Sequence, residues 1–340
     1  MPGHDVHDAF IGWAERQLPE GRERSLFRRM AERSGIRHRW SVLPAAAKGG
    51  SPVDPGGFYH GPLPSTAARM AVYGEAAPGL ALEAVRRLGP LIGITHLIVA
   101  SCTGFVAPGI DQIIAAELGL AGDVERTLVG FMGCYAAVSA LRLAHHVVRS
   151  EPEARVLVVT VELSTLHLQA ERRLEPLLAM LQFGDGASAA LVTAEPLGFA
   201  LSRPFAATLP DSSALIRWDI GDSGFVMQLS GEVPSRIGEA LREPDFRRAM
   251  LGGEAAGAFD AWAVHAGGRS VLDAVEHGLD LPPQALAESR DVLARFGNMS
   301  SSTLPFVLSE LLANPKRRRG IALAFGPGLA AEGFHFQRAG

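Results

Sequence analysis

Cysteine is nearly absent: Cys102 and Cys134 are the two in 340 residues. Two are too few for a disulfide framework or a structural zinc site, and they fit a reducing cytoplasm. A dominant charge is missing too. The 32 Lys and Arg against 36 Asp and Glu leave a formal net charge of −4, so there is no broad basic field for nucleic acid, and an anionic ligand has to be met by local arginines. No apolar run approaches the length of a membrane span. The amino terminus, MPGHDVHDAFIGWAERQLPEG, lacks the apolar core, basic flank and cleavage site of a signal peptide. A soluble, cytoplasmic protein is expected. With 47% hydrophobic and 20% charged residues, disorder and coiled coil are excluded. The length suits one large α/β domain or two fused halves.

What is present is an alternation. Helical spacing over RERSLFRRMAER ends near Gly35, a Gly- and Pro-rich loop follows, and a long helix begins at Ser65 or Thr66 as cap. THLIVASC and ARVLVVTVEL read as buried strands and TLVGFM as a short one. GIDQIIAAELGL and CYAAVSALRLAHHVVRS are helices between them, and FGDGASAALVT is a glycine turn feeding a strand. This order predicts parallel strands joined by crossover helices. The second half repeats it: FDAWAVHAG is a strand, GRSVLDAVEHGLDL a helix, GNMSSSTLPFVLSELLAN a small-residue helix, and RRRGIALAFGPG the closing strand. The chain divides as 1–196 and 197–340, two related halves with equivalent elements facing each other.

If the halves are related by a pseudo-twofold axis, the starts of the two matching helices meet. Cys134 and Asn298 lie at those starts. The positive end of a helix favours an anion, which biases Cys134 toward thiolate. His265 ends its strand, where α/β folds gather reactive groups; its imidazole would take the thiol proton. The Asn298 amide would donate to an oxygen becoming negative. Taken singly, each residue also reads as core packing or a helix cap.

Together, GFMGCYAAVSALRLA, WAVHAGGRSVLDAVE, RFGNMSSSTLPF and AFGPGLAAE resemble the type III polyketide synthases, the chalcone synthase-like branch of the thiolase-fold condensing enzymes. The resemblance implies an α/β, thiolase-like fold, with duplicated βαβαβ halves forming a five-layer αβαβα stack. It implies that Cys134 takes a starter acyl group from coenzyme A. His265 and Asn298 would stabilise the enolate left when malonyl-CoA loses carbon dioxide. An acyl-CoA starter and malonyl-CoA are then the substrates, with no metal or redox cofactor, and a homodimer is expected in which the loop at Ala107 reaches the partner's cavity.

The resemblance also assigns lining residues. Phe183 matches an aromatic gatekeeper, and Phe325, Gly326, Pro327 and Gly328 keep all but the first glycine of a GFGPG stretch that shapes the cavity floor. Cys102, His167, Trp218 and Met227 replace the threonines, glycine and second gatekeeping phenylalanine usual in plant enzymes. Thr103, Ser164 and Ser300 stay closer to pattern. Arg29 and Arg33 fall where cations meet coenzyme A phosphates, Arg269 and Ser270 are counted with them, and Leu26 replaces one cation of the usual set. KRRR at 316–319 reads as a solvated loop. These departures favour an alkylpyrone or alkylresorcinol built on a fatty acyl starter over a chalcone.

The alternatives are a ketoacyl-carrier-protein synthase III, a hydroxymethylglutaryl-CoA synthase, for which no extra catalytic glutamate is evident, and a non-catalytic acyl-binding homologue. Family members also carry a strand ahead of the segment beginning MPGHDVHDAF. Either the start lies upstream or that strand is missing, and its loss would expose a neighbouring strand edge.

Overall fold

The computed structural model describes residues 2–46 and 49–339. The chain opens with β1 (His4–Asp5), α1 (His7–Gln17), α2 (Arg22–Arg33), β2 (Trp40–Ser41) and α3 (Thr66–Arg86). In α2 the apolar stripe buries Phe27 and Ala31 and leaves Arg29 and Arg33 exposed. Ser65 is the α3 cap, accepting from the Ala68 N–H. Thr66 serves elsewhere: its hydroxyl donates to the Gly221 carbonyl and accepts from the Gly224 N–H.

The first sheet and its helices are β3 (His96–Ser101), α4 (Ile110–Glu117), β4 (Glu125–Gly130), α5 (Ala136–Ser150), β5 (Val156–Leu163), α6 (Leu174–Met180) and β6 (Asp185–Val192). The order is β4-β3-β5-β6, with β3 parallel to β4 and β5 and with β6 antiparallel to β5. The second half runs β7 (Phe199–Thr208), β8 (Ile216–Gly221), β9 (Gly224–Leu229), α7 (Val233–Ala240), α8 (Pro244–Leu251), β10 (Ala261–Val264), α9 (Arg269–Gly278), α10 (Ala287–Phe296), α11 (Thr303–Ala313), β11 (Arg319–Gly326) and β12 (Ala330–Arg338). Its sheet has the order β10-β11-β12-β7, with β10 parallel to β11 and β12 antiparallel to both neighbours. The triplet β3-β5-β6 is thus repeated as β10-β11-β12.

The structure corrects the sequence reading in three places. The sheets are mixed, and RRRGIALAFGPG is not the last strand. The chain reverses through Pro327–Leu329, and so short a turn permits only an antiparallel neighbour. The short strand read at TLVGFM begins earlier, at Glu125, and Phe131 leaves it at φ +57°. The β8–β9 hairpin, which carries Trp218 and Met227, lies between 193 and 259, where no element is read from the sequence.

Strand alternation decides the layers. In β3, Leu97 and Val99 face outward onto Tyr73, Ala77 and Leu80 of α3, while Ile98 and Ala100 face inward. In β11, Ile321 and Leu323 face Leu272 and Val275 of α9, while Ala322 and Ala324 face inward. Between the sheets lie α5 and α11, packed through Ala136, Ala140, Leu304 and Val307. The result is the expected αβαβα stack. Among the described residues, β6 is paired on one edge only, whereas the equivalent β12 is flanked on both. Among the described residues, no helix is long and apolar enough to cross a membrane.

Candidate active site

Both central helices are entered through a short 3-10 turn: Gly133–Tyr135 before α5 and Ser300–Ser302 before α11. The two turns pack on one another across the halves. Cys134 lies in the first, Asn298 just ahead of the second, and His265 directly after β10.

The Ser300 hydroxyl donates to Cys134 Sγ at 3.7 Å. Asn298 Oδ1 accepts from the Ser300 N–H at 2.8 Å, and Nδ2 donates to the Gly267 carbonyl at 3.1 Å. A backbone donor therefore fixes which end of the amide is oxygen. The amide keeps a second N–H, and the Asn298 side chain acts to lower the Cys134 thiol's pKa. His265 is buried, with its backbone N–H on the Leu323 carbonyl at 2.8 Å. Neither of its ring nitrogens has a partner, and such buried orphans are rare enough to mark a working group.

Burial sets the charge state. It pushes His265 down to about 3. It pushes the Cys134 thiol up to about 12, with the nearby Glu162 carboxylate adding to the rise and hydrogen bonds from Ser300 and Asn298 opposing it. The thiolate bias read from the helix start is thus corrected: α5 begins two residues beyond Cys134, and desolvation outweighs its positive end.

Two glycines let the halves meet at the thiol. Gly133 has φ +73°, and a Cβ there would overlap the Pro327 ring. A Cβ on Gly326 would stand 2.6 Å from Tyr135 Cδ1 and 3.3 Å from the Cys134 nitrogen. The FGPG stretch was expected on the cavity floor. Instead Gly326 and Pro327 close on the Cys134 turn, Gly328 turns the chain at φ +73°, and Phe325 is buried in the outer core of the second half.

Sequence reasoning missed Glu162. Its fully buried carboxylate accepts from the Cys102 N–H at 3.0 Å, Cys102 Sγ at 3.2 Å, Thr103 Oγ1 at 2.9 Å and the Ser301 hydroxyl. Cys102 Sγ also lies 3.2 Å from Ser300 Oγ, so Cys102, Thr103 and Ser300 belong to this polar cluster behind the cavity wall. The signal was a lone acid inside an apolar strand, which has to be paired when buried.

Ser164, His167, Phe183, Trp218 and Met227 do line one cavity, of ≈ 20 Å³. That is room for about one water. The wall is fixed by polar contacts. Trp218 Nε1 donates to the Cys102 carbonyl at 2.8 Å. His167 Nδ1 accepts from the Phe225 N–H at 3.0 Å, so Nε2 carries the proton it shares with the Thr103 carbonyl at 2.8 Å. His167 also stacks on Phe225 at 4.2 Å, and burial keeps it neutral. Met180 and Met227 face both this cavity and an outer cleft of ≈ 440 Å³ lined by Glu171, Arg173, Gln228 and Ser230.

At the surface, Arg269 donates to the Arg33 carbonyl at 3.2 Å and faces Asp273 at 3.6 Å, bringing α9 against α2. Arg29, Arg33 and Ser270 are exposed, and Leu26 is half-buried. Residues 316–319 are not merely a solvated loop: Arg317 pairs with Glu288, and Arg319 opens β11 and pairs with Glu254. Among the described residues, no three His, Cys, Asp or Glu side chains gather as metal ligands.

Residues 16–196 match the family model "Chalcone and stilbene synthases, N-terminal domain", and residues 201–339 match the corresponding C-terminal domain. The chain is 32% identical over 331 residues to bisdemethoxycurcumin synthase of Oryza sativa, covering 90% of this chain and 81% of that protein. It is 32% identical over 286 residues to the alpha-pyrone synthesis polyketide synthase-like Pks18 of Mycobacterium tuberculosis, covering 79% and 72%. The structure of 1,3,6,8-tetrahydroxynaphthalene synthase from Streptomyces coelicolor superposes with a TM-score of 0.88 at 27% identity, covering 100% of this chain and 97% of that one. The chain belongs to the chalcone and stilbene synthase family of thiolase-fold type III polyketide synthases, which are decarboxylating condensing acyltransferases.

Proposed function

We propose that this synthase loads an acyl-CoA starter on Cys134, extends it with malonyl-CoA and closes the chain to a pyrone or resorcinol. The observation that carries the reading is a chain of contacts across the two halves: Cys134 meets Ser300, Asn298 bonds both Ser300 and the Gly267 carbonyl, and Gly267 follows His265, whose ring nitrogens are both unpartnered among the described residues.

A lone thiolate or a lone imidazolium is disfavoured in this dry site. One proton passed from Cys134 to His265 makes both at once with no net charge, which is how the nucleophile forms. The thiolate attacks the starter carbonyl, the acyl group moves to Sγ, and CoA leaves as its thiol. Malonyl-CoA then loses carbon dioxide, and the electron pair of the broken C–C bond becomes an enolate. Its oxygen is met by N–H donors of His265 and Asn298. The enolate carbon attacks the Cys134 thioester, and the lengthened chain returns to the thiol. The roles need no resident cofactor beyond the coenzyme A thioesters.

The acyl group passes from the outer cleft between Met180 and Met227, whose flexible side chains can part, and past Phe183. Arg29, Arg33, Arg269 and Ser270 on the adjoining helices are read as the phosphate contacts. The enclosed cavity admits a ring and its substituent only as these methionines move, so the tail of an alkyl starter is directed to the aperture. A homodimer is supported by the open edge of β4 and the exposed Leu128 and Phe105 beside it. Two unpaired thiols suit a cytoplasmic setting.

The test is purified protein with labelled malonyl-CoA and acyl-CoA starters of graded length, with products identified by mass spectrometry. Pyrones or resorcinols that contain the starter support the reading. Turnover confined to malonyl-carrier protein, or no condensation with any CoA ester, contradicts it.

A further inference from the structure

Among the described residues, Arg39 is a buried cation with no anion in contact with its guanidinium. Its side chain is fully buried. Nε donates to His7 Nδ1 at 3.0 Å and Nη2 to the His7 carbonyl at 3.1 Å, while Nη1 has no partner. Asp5 and Asp8 act on it only through space. The Asp5 carboxylate is instead engaged by His38 at 2.6 Å and by the N–H groups of His7 and Arg39. A guanidinium kept in that state costs stability, so its place in the fold calls for another reason.

That place is the back of the Asn298 turn. The N–H groups of Arg37 and His38 both donate to the Ala294 carbonyl, and the Trp40 indole donates to the Arg295 carbonyl at 3.0 Å. The strap 37–40 is thereby fastened to the end of α10. One step on, the Asn298 N–H donates to the Gln182 carbonyl at 2.8 Å and the Gly184 N–H to the Asn298 carbonyl at 3.0 Å, so the turn bearing Asn298 and the turn bearing Phe183 are bonded together. Arg39 fills the space beside both. A Cβ on Gly297, at φ +68°, would lie 2.9 Å from Arg39 Cγ, and one on Gly184 would lie 3.6 Å from Arg39 Cα.

We propose that Arg39 is a positioning residue that holds Asn298 and Phe183 in register, with His7 as the acceptor that aims its guanidinium. This rests on the reading of Asn298 as an enolate donor. Acylation of Cys134 is read as needing the thiol and His265, whereas the enolate also needs the Asn298 donor, so loss of the wedge separates two steps that a general loss of structure would lower together.

The experiment measures two rates in the full chain: malonyl-CoA decarboxylation, and covalent acylation of Cys134 by a starter acyl-CoA. The variants are Arg39→Met, Arg39→Lys, His7→Leu and His7→Asn. Arg39→Met is expected to lower the decarboxylation kcat at least about tenfold, as a small misplacement of a donor does, with acylation within about threefold of wild type. Arg39→Lys recovers part of the loss. His7→Leu shows the same split more weakly, and His7→Asn, which restores an acceptor where Nδ1 stood, reverses it. Should Arg39→Met not fold, the His7 pair decides on the same two rates. Both rates unchanged, or both lowered equally, overturns the proposal. A wild-type protein showing neither rate overturns the function reading itself, and this inference with it.

Discussion

The indole N–H of Trp218 donates to the carbonyl oxygen of Cys102 at 2.8 Å. The Trp218 wall of the cavity is thereby fixed to the end of β3, while its strand partner Met227 and Met180, which line the same cavity, have side chains that can move. On the proposed function, Trp218 is therefore the rigid limit on the growing chain. Trp218→Ala should shift the preferred starter to a bulkier acyl group or add an extension. Trp218→Phe, which keeps most of the ring but drops the N–H, should keep the product and raise KM a few-fold. Product mass against starter length checks both, and an unchanged product from Trp218→Ala removes Trp218 as the limit.

In the proposed mechanism, His265 takes the Cys134 proton. Burial raises the thiol's pKa, so at neutral pH less thiolate is present unless a proton acceptor forms with it. In His265→Gln that acceptor is gone. Alkylation of Cys134 by iodoacetamide at pH 7 should fall at least about tenfold, since each unit of pKa is a factor of ten in thiolate, and should keep rising beyond pH 9. Peptide mapping separates Cys134 from Cys102, whose thiol is also pushed up by burial and the Glu162 carboxylate. A wild-type pH profile in the variant contradicts the assignment.

Gly133 joins the halves mechanically. Gly133→Ala meets both a left-handed backbone and the Pro327 ring. The expected loss of stability is about 2–4 kcal/mol, read as a fall in the denaturant midpoint. Gly328→Ala shares the positive φ but has open space around its Cβ, so it should lose less. Equal losses would show that strain alone matters and the contact with Pro327 does not.

Much of this was legible in the sequence because it is local. The apolar runs at 96–101 and 319–326, the cap at Ser65 or Thr66 and the stop near Gly35 are set by neighbours in the chain. The repeat of strand, helix and glycine-led helix located Cys134, His265 and Asn298 without coordinates. Elements whose reason is distant were not legible. The β8–β9 hairpin is held by Thr66, Gln169 and His167, and β12 by its neighbours in the sheet. Glu162 and Arg39 look ordinary in sequence, and they are unusual only once folding has buried them. The thiolate bias misread the balance, because burial is a property of the whole fold and the helix end is not.

In the proposed function, Cys134 carries the growing chain while His265 and Asn298 act on malonyl-CoA. Intact-mass spectrometry after mixing with a starter acyl-CoA, with malonyl-CoA decarboxylation followed in parallel, tests it most directly. Wild-type protein should gain one acyl mass, whereas Cys134→Ala should gain none and still release carbon dioxide from malonyl-CoA. An acyl adduct that persists in Cys134→Ala, or decarboxylation at the wild-type rate in His265→Ala, would contradict the account.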